Sequence, residues 1–172
     1  QDIPKSPREY LKKFFPLFAN KATKIITVSE FSKQDIIRQY SIESKKIVVA
    51  HNGGNENFKR IITAEKEIVK NQFSDGEDFF VYVGALHSRK NIRRLFEGFD
   101  DFKLKTNSKT KLIVVGENLW KNQNHKKSEQ LKFNSDILFT GHLPIEDLIK
   151  VVASAKTLVL VSYFEGFGIP LV

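Results

Sequence analysis

Phe79-Phe80-Val81-Tyr82-Val83-Gly84 and Lys111-Leu112-Ile113-Val114-Val115-Gly116 are the stretches that decide the fold. Each is a short β-branched and aromatic run that stops at a glycine, and each reads as a strand. Neither alternates apolar with polar residues. A strand apolar on both sides is buried on both faces, which implies a parallel sheet covered by helices above and below. Between the two, residues 91–104 carry Ile92, Leu95, Phe96 and Phe99 at helical spacing. Strand, helix, strand is the repeating unit of such a sheet.

Working outward, residues 137–140 give a further strand ending at Gly141, and residues 158–161 (LVLV) a fourth. Pro144 marks the start of a helix predicted to bury Ile145, Leu148, Ile149, Val152 and Ala153. The polar stretch 117–133 is expected to be partly helical. Upstream, residues 24–28 (KIITV) and 46–50 (KIVVA) read as strands, the second closed by Asn52-Gly53-Gly54. Ser29 is a predicted N-cap for a helix with Phe31, Ile36, Ile37 and Tyr40 on one stripe. A weaker helix over 61–73 is broken by Ser74-Asp75-Gly76, the expected domain boundary. The predicted class is α/β, a Rossmann-like doubly wound parallel sheet. Ligands in such sheets bind where strands end and helices begin, here loops 84–90, 116–120, 141–143 and 162–168.

Composition narrows the chemistry. With 172 residues, 41% hydrophobic and 28% charged, the chain has the makings of a packed core and is not a disordered sequence. It has no Cys, which removes disulfides, thiolate metal sites and thiol nucleophiles, and fits a reducing compartment. No apolar run approaches the roughly 20 residues of a membrane span. The formal charge is +8 and Lys-dominated. Base readout and bidentate phosphate clamps favour Arg, so no nucleic-acid partner is expected, and the Lys-rich stretch 103–132 reads as solvated surface. In residues 5–24, Phe14, Phe15, Leu17 and Phe18 interleave with Lys12 and Lys13. That pattern makes a core-facing amphipathic helix and also suits peripheral contact with a membrane.

Several motifs are missing: no G-x-G-x-x-G, no P-loop, no G-x-S-x-G elbow. His51, His87, His125 and His142 lack metal-ligand spacing, and Asp100-Asp101 reads as a solvated helix face, so no metal site is expected. Two loops do carry chemistry. In Gly84-Ala85-Leu86-His87-Ser88-Arg89-Lys90-Asn91, Gly84 lets backbone approach a ligand. Arg89 and Lys90 are predicted at the start of the next helix, where charge and helix dipole attract an anion such as phosphate. Two merely exposed cations are the plainer alternative. In Ser162-Tyr163-Phe164-Glu165-Gly166-Phe167-Gly168-Ile169-Pro170, the glycines around Phe167 permit a tight turn with open N–H groups. Glu165 beside it can accept hydrogen bonds from sugar hydroxyls; a solvated carboxylate is the alternative.

These segments form an ordered set: Val28-Ser29-Glu30-Phe31-Ser32, Asn52-Gly53, the Gly84 to Asn91 loop, Val114-Val115-Gly116, Phe139-Thr140-Gly141 and Glu165-Gly166-Phe167-Gly168. In order and rough spacing the set resembles the large retaining glycosyltransferase family numbered four, whose GT-B fold has two Rossmann-like domains. The Glu-Gly-Phe-Gly-Ile-Pro run is its most specific member.

The resemblance implies that residues 1–77 end an N-terminal acceptor-side domain and include the interdomain connection. Residues 78–172 would then be a nucleotide-sugar-binding domain, the chain being a piece of a longer enzyme, truncated at both ends. By analogy Lys90, with Arg89, holds the diphosphate of a nucleoside diphosphate sugar, and Glu165 binds the donor sugar. Gly84 and the amides of Gly166, Phe167 and Gly168 approach sugar or phosphate, and backbone around Gly141, His142 and Leu143 contacts the base. No cofactor and no metal are implied. The implied reaction moves the sugar, with retention, to a sugar or lipid-linked acceptor in cell-surface polysaccharide or glycolipid synthesis. The implied location is the cytoplasm, peripheral to the inner membrane face. Two departures stand out. Ala85 occupies a position where many members have a second phosphate-binding Arg, and the family's second Glu would fall at position 173. The 172 residues alone are expected to be inactive in transfer, and a non-catalytic nucleotide- or anion-binding module is the alternative reading.

Overall fold

The computed structural model describes residues 5–117 and 131–171. Their contacts divide them into two compact units, one running to Gly54 and including Glu165–Pro170, the other running from Asn55 to Phe164. Most of the polar stretch expected to be partly helical lies outside the described residues, with His125.

The first unit contains α1 (Lys5–Lys21), β1 (Ile25–Thr27), α2 (Glu30–Tyr40) and β2 (Ile47–Val49). The strands are parallel, Ile25 opposite Ile47 and Thr27 opposite Val49. Ser29 caps α2 as expected: its backbone is extended and its Oγ accepts the Ser32 N–H at 3.1 Å. Glu30 adds a negative charge to the positive end of the helix, and Ser41, left-handed at φ 54°, closes the other end. On α1 the rings of Tyr10, Phe14 and Phe18 follow at successive four-residue steps, with centroids 4.7 and 6.0 Å apart.

The second unit is the predicted doubly wound sheet. It comprises α3 (Thr63–Ser74), β3 (Phe79–Val83), α4 (Ile92–Thr106), β4 (Lys111–Val115), β5 (Ile137–Gly141), α5 (Ile145–Ser154) and β6 (Thr157–Leu158). All strand pairs are parallel in the order β5-β4-β3-β6. Because successive strand side chains point to opposite faces, the continuous apolar runs feed two cores. On one face Tyr82, Leu112 and Val114 pack with Ile92, Leu95, Phe96 and Phe99 of α4. On the other Phe79, Val81, Ile113 and Val115 pack with Val69 of α3 and Val151 of α5.

Two expectations are corrected in detail. Helix α5 turns Leu148 and Val152 of the predicted set inward, together with Val151 and the following Ala155, whereas Ile145 is 49% exposed. Val151 is fully buried against the sheet, and a 3.6-residue period centred on it excludes Ile145. Strand β6 is shorter than residues 158–161: the Val159 N–H still bonds Val81 O at 2.8 Å, after which the chain leaves the ladder.

Candidate functional site

At the carboxyl end of the sheet each of three neighbouring strands meets a glycine. The Gly84 N–H donates to Val115 O at 2.9 Å and the Gly116 N–H to Gly141 O at 2.8 Å, so Gly84, Gly116 and Gly141 form a row across β3, β4 and β5. All three have positive φ, at 146°, 142° and 70°. The row leaves a strip of backbone without side chains where such sheets receive ligands. Beyond Gly141, His142 is exposed, whereas the Leu143 side chain packs against the core beside α5 and keeps its loop close to the sheet.

The loop after Gly84 is shaped from inside. Leu86 is fully buried, and the Tyr82 hydroxyl donates to Ala85 O at 3.2 Å. Ser88–Lys90 then form a 3₁₀ turn, the Lys90 N–H bonding His87 O at 2.9 Å. This corrects the placement of Arg89 and Lys90. They do not open α4 but stand one turn ahead of it, because Asn91 adopts a left-handed conformation (φ 59°) that separates turn from helix. Arg89 is exposed, Lys90 half-buried and Ala85 exposed. Asn91 Nδ2 donates to Val161 O at 3.0 Å, the Tyr163 N–H donates to Arg89 O at 3.0 Å, and the Arg94 guanidinium lies 5.7 Å from the Tyr163 ring centre. Sequence reasoning marked both loops and missed this stitching, although an Asn at a helix entrance is a signal for it.

Glu165, Gly166, Phe167 and Gly168 belong to the first unit. Glu165 is half-buried. Gly166 O accepts from Ser29 Oγ at 2.6 Å and from Ser32 Oγ at 3.2 Å. The Phe167 ring lies 5.8 Å from that of His51. Gly168 is buried with φ 89°, a conformation that favours glycine; Gly166 has none, and a Cβ there would meet only ordinary contacts, Val28 Cγ2 at 3.6 Å being nearest. Of the predicted residues, Gly84 and Gly141 are thus brought into one row and Arg89 is tied to the segment leading to Phe164. Among the described residues no three His, Asp or Glu side chains gather as a metal site, and no helix is long and apolar enough to cross a membrane.

A strip of glycine backbone thus lies beside a turn that carries two cations. The family model for glycosyl transferases group 1 matches residues 63–172, and the chain belongs to that family. It is 29% identical over 170 residues to O-antigen chain mannosyltransferase B of Escherichia coli, covering 98% of this chain and 45% of that protein. It is 26% identical to O-antigen chain mannosyltransferase RfbU of Salmonella typhimurium, covering 94% of this chain and 42% of that one. The chain spans less than half the length of these relatives. Among solved structures, Anabaena Alr3699/HepE in complex with UDP and glucose matches with a TM-score of 0.78 at 18% identity, over 94% of this chain and 44% of that one. WaaG, a glycosyltransferase involved in lipopolysaccharide biosynthesis, matches at 0.75 and 23%, over 88% and 41%. These neighbours share the fold, which is part of the GT-B architecture.

Proposed function

We propose that this chain is part of a glycosyltransferase that moves a sugar from a nucleoside diphosphate sugar to a sugar or lipid-linked acceptor of a cell-surface polysaccharide or glycolipid, residues 78–172 binding the donor and residues 1–77 ending the acceptor-side domain. The observation that carries the reading is the row of Gly84, Gly116 and Gly141 beside the Arg89-Lys90 turn. Family membership, the O-antigen mannosyltransferase relatives and the UDP and glucose of the HepE structure support it, and the relatives make a mannosyl donor the first to test.

In this reading Lys90 and Arg89 neutralise the charge that develops on the departing diphosphate, a task here given to side chains instead of a metal ion. Removing one such contact costs about 3 kcal/mol of barrier, by analogy with oxyanion-site mutants. Glu165 accepts from donor-sugar hydroxyls, and transfer retains the anomeric configuration. The exposed aromatics of α1 with Lys12 and Lys13 give the protein a peripheral membrane contact on the cytoplasmic side.

Calorimetric titration with UDP, GDP and ADP, each with and without its sugar, tests the reading. One diphosphate binds, Lys90→Ala weakens it about tenfold, and Glu165→Ala weakens only the sugar nucleotide. Diphosphate binding without any gain from the sugar would favour a non-catalytic nucleotide-binding module, consistent with Ala85 at the loop entrance. No binding by folded protein would overturn both readings.

A further inference from the structure

The segment Val28-Ser29-Glu30-Phe31-Ser32 has so far only a capping role, yet its two hydroxyls converge on one atom. Ser29 Oγ and Ser32 Oγ lie 2.6 and 3.2 Å from Gly166 O, across 137 and 134 residues of sequence. The cap itself needs only an acceptor: the Ser32 N–H donates to Ser29 Oγ at 3.1 Å. Asp or Asn would serve equally well there. What a carboxylate could not do is donate. Ser29 Oγ therefore both accepts from the helix N-terminus and donates to a carbonyl, and Ser32 Oγ adds a second donor to that same carbonyl.

Gly166 is the residue after Glu165. Its carbonyl direction sets the plane of the peptide that bears the Phe167 N–H, and Phe167 is braced in turn by the His51 ring at 5.8 Å. Gly166 is not fixed by conformation, since its φ is not left-handed and a Cβ would find only ordinary contacts. A glycine peptide with that freedom samples other orientations unless something holds it. We infer that Ser29 and Ser32 are positioning residues for the loop of Glu165 to Gly168: a paired-hydroxyl latch on Gly166 O that orients Glu165 and the Phe167 amide toward the donor sugar. The inference rests on the donor-site reading above and adds residues from a different part of the sequence.

Separating latch from cap gives the test. Ser29→Asp keeps the acceptor and loses the donor, Ser32→Ala removes the second donor and leaves its backbone N–H on the cap, and Ser29→Thr keeps both functions. Two readouts are taken on the whole chain: amide hydrogen exchange of the peptide covering residues 165–170, and affinity for UDP-, GDP- or ADP-linked sugar relative to the bare diphosphate. Ser29→Asp and Ser32→Ala should leave the melting temperature nearly unchanged and speed exchange in that peptide several-fold. They should weaken the sugar nucleotide about three- to tenfold without affecting the diphosphate, and Ser29→Thr should behave as wild type. Unchanged exchange in both variants would overturn the latch. Faster exchange with unaltered sugar preference would overturn its positioning role. A wild type that binds no sugar nucleotide would overturn the donor reading and the positioning role with it, and the exchange contrast would still show whether the latch exists.

Discussion

Gly116 faces the carbonyl of Gly84 so closely that a Cβ on Gly116 would lie 2.2 Å from that oxygen and 2.7 Å from its carbon. Both atoms are backbone and cannot swing aside. Gly116→Ala should therefore cost about 3 kcal/mol or more, since strain in a left-handed conformation adds to a clash. Gly141→Ala has φ 70° but open space around it, and should cost only about 1–2 kcal/mol. Chemical denaturation of the two variants checks the ranking; equal costs would show that the sheet edge can relax.

The two glycines of the Glu165 loop should part company. Gly168→Ala must enter the left-handed region at a buried site and should lose about 1–2 kcal/mol, whereas Gly166→Ala should stay within about 0.5 kcal/mol of wild type. Thermal melts of both decide it.

Asn91 does two jobs, a left-handed φ and a side-chain bond to Val161 O. Asn91→Gly keeps the first and loses the second. It should destabilise by about 1 kcal/mol and raise hydrogen exchange in the 84–91 loop, while Asn91→Val, which also resists positive φ, should cost more. The same exchange for Asn91→Gly and wild type would remove the stitch from the account.

Lys103 is buried, with Nζ 2.7 Å from Asp136 Oδ2, 3.2 Å from Thr110 O and 5.6 Å from the Phe133 ring centre. Lys103→Met should cost about 2–4 kcal/mol, mostly through the carboxylate it strands, and adding Asp136→Leu should recover part of that. Urea unfolding of single and double variants measures both.

Asp78 and Lys70 give the stability a pH signature. Hydrogen bonds donated by Lys70 and then Lys156 hold the Asp78 carboxyl below the ordinary range, and those that Lys70 donates to Asp78 and then Glu67 hold its ammonium above its own. The Asp78 contribution is present above its unfolded value near about 3.9 and fades as pH falls through the lowered folded value. That of Lys70 is present below about 10.4 and fades as pH rises through the raised one. Asp78 is 46% exposed, so Asp78→Asn should cost only about 0.5 kcal/mol at pH 7. The difference from wild type should vanish near about pH 2.

The sheet was legible because its strands are unbroken apolar runs; Phe79–Val83 and Lys111–Val115 begin and end where their patterns do. Ser29 was readable as a cap for a similar reason, its partner being three residues away. Lys103 was not: within a Lys-rich stretch it looked like surface, and only the fold brings Asp136 to it. The hydroxyls on Gly166 were equally hidden, since nothing local marks a contact formed across 137 residues. Arg89 and Lys90 were placed one turn too late because a left-handed Asn91 leaves no mark in the hydrophobic period. What sequence could read was periodic or short-range, and the candidate site is mostly neither.

The strand order β5-β4-β3-β6 has a consequence for biosynthesis. As the chain leaves the ribosome, β3, β4 and β5 can pair in the order they appear, but the outer side of β3 must wait for β6, Phe80 meeting Thr157 and Val81 meeting Leu158. Until then an aromatic, β-branched edge stands open, the kind of edge that captures strands from other chains. Nascent protein stalled short of Thr157 is therefore the species most in need of a chaperone.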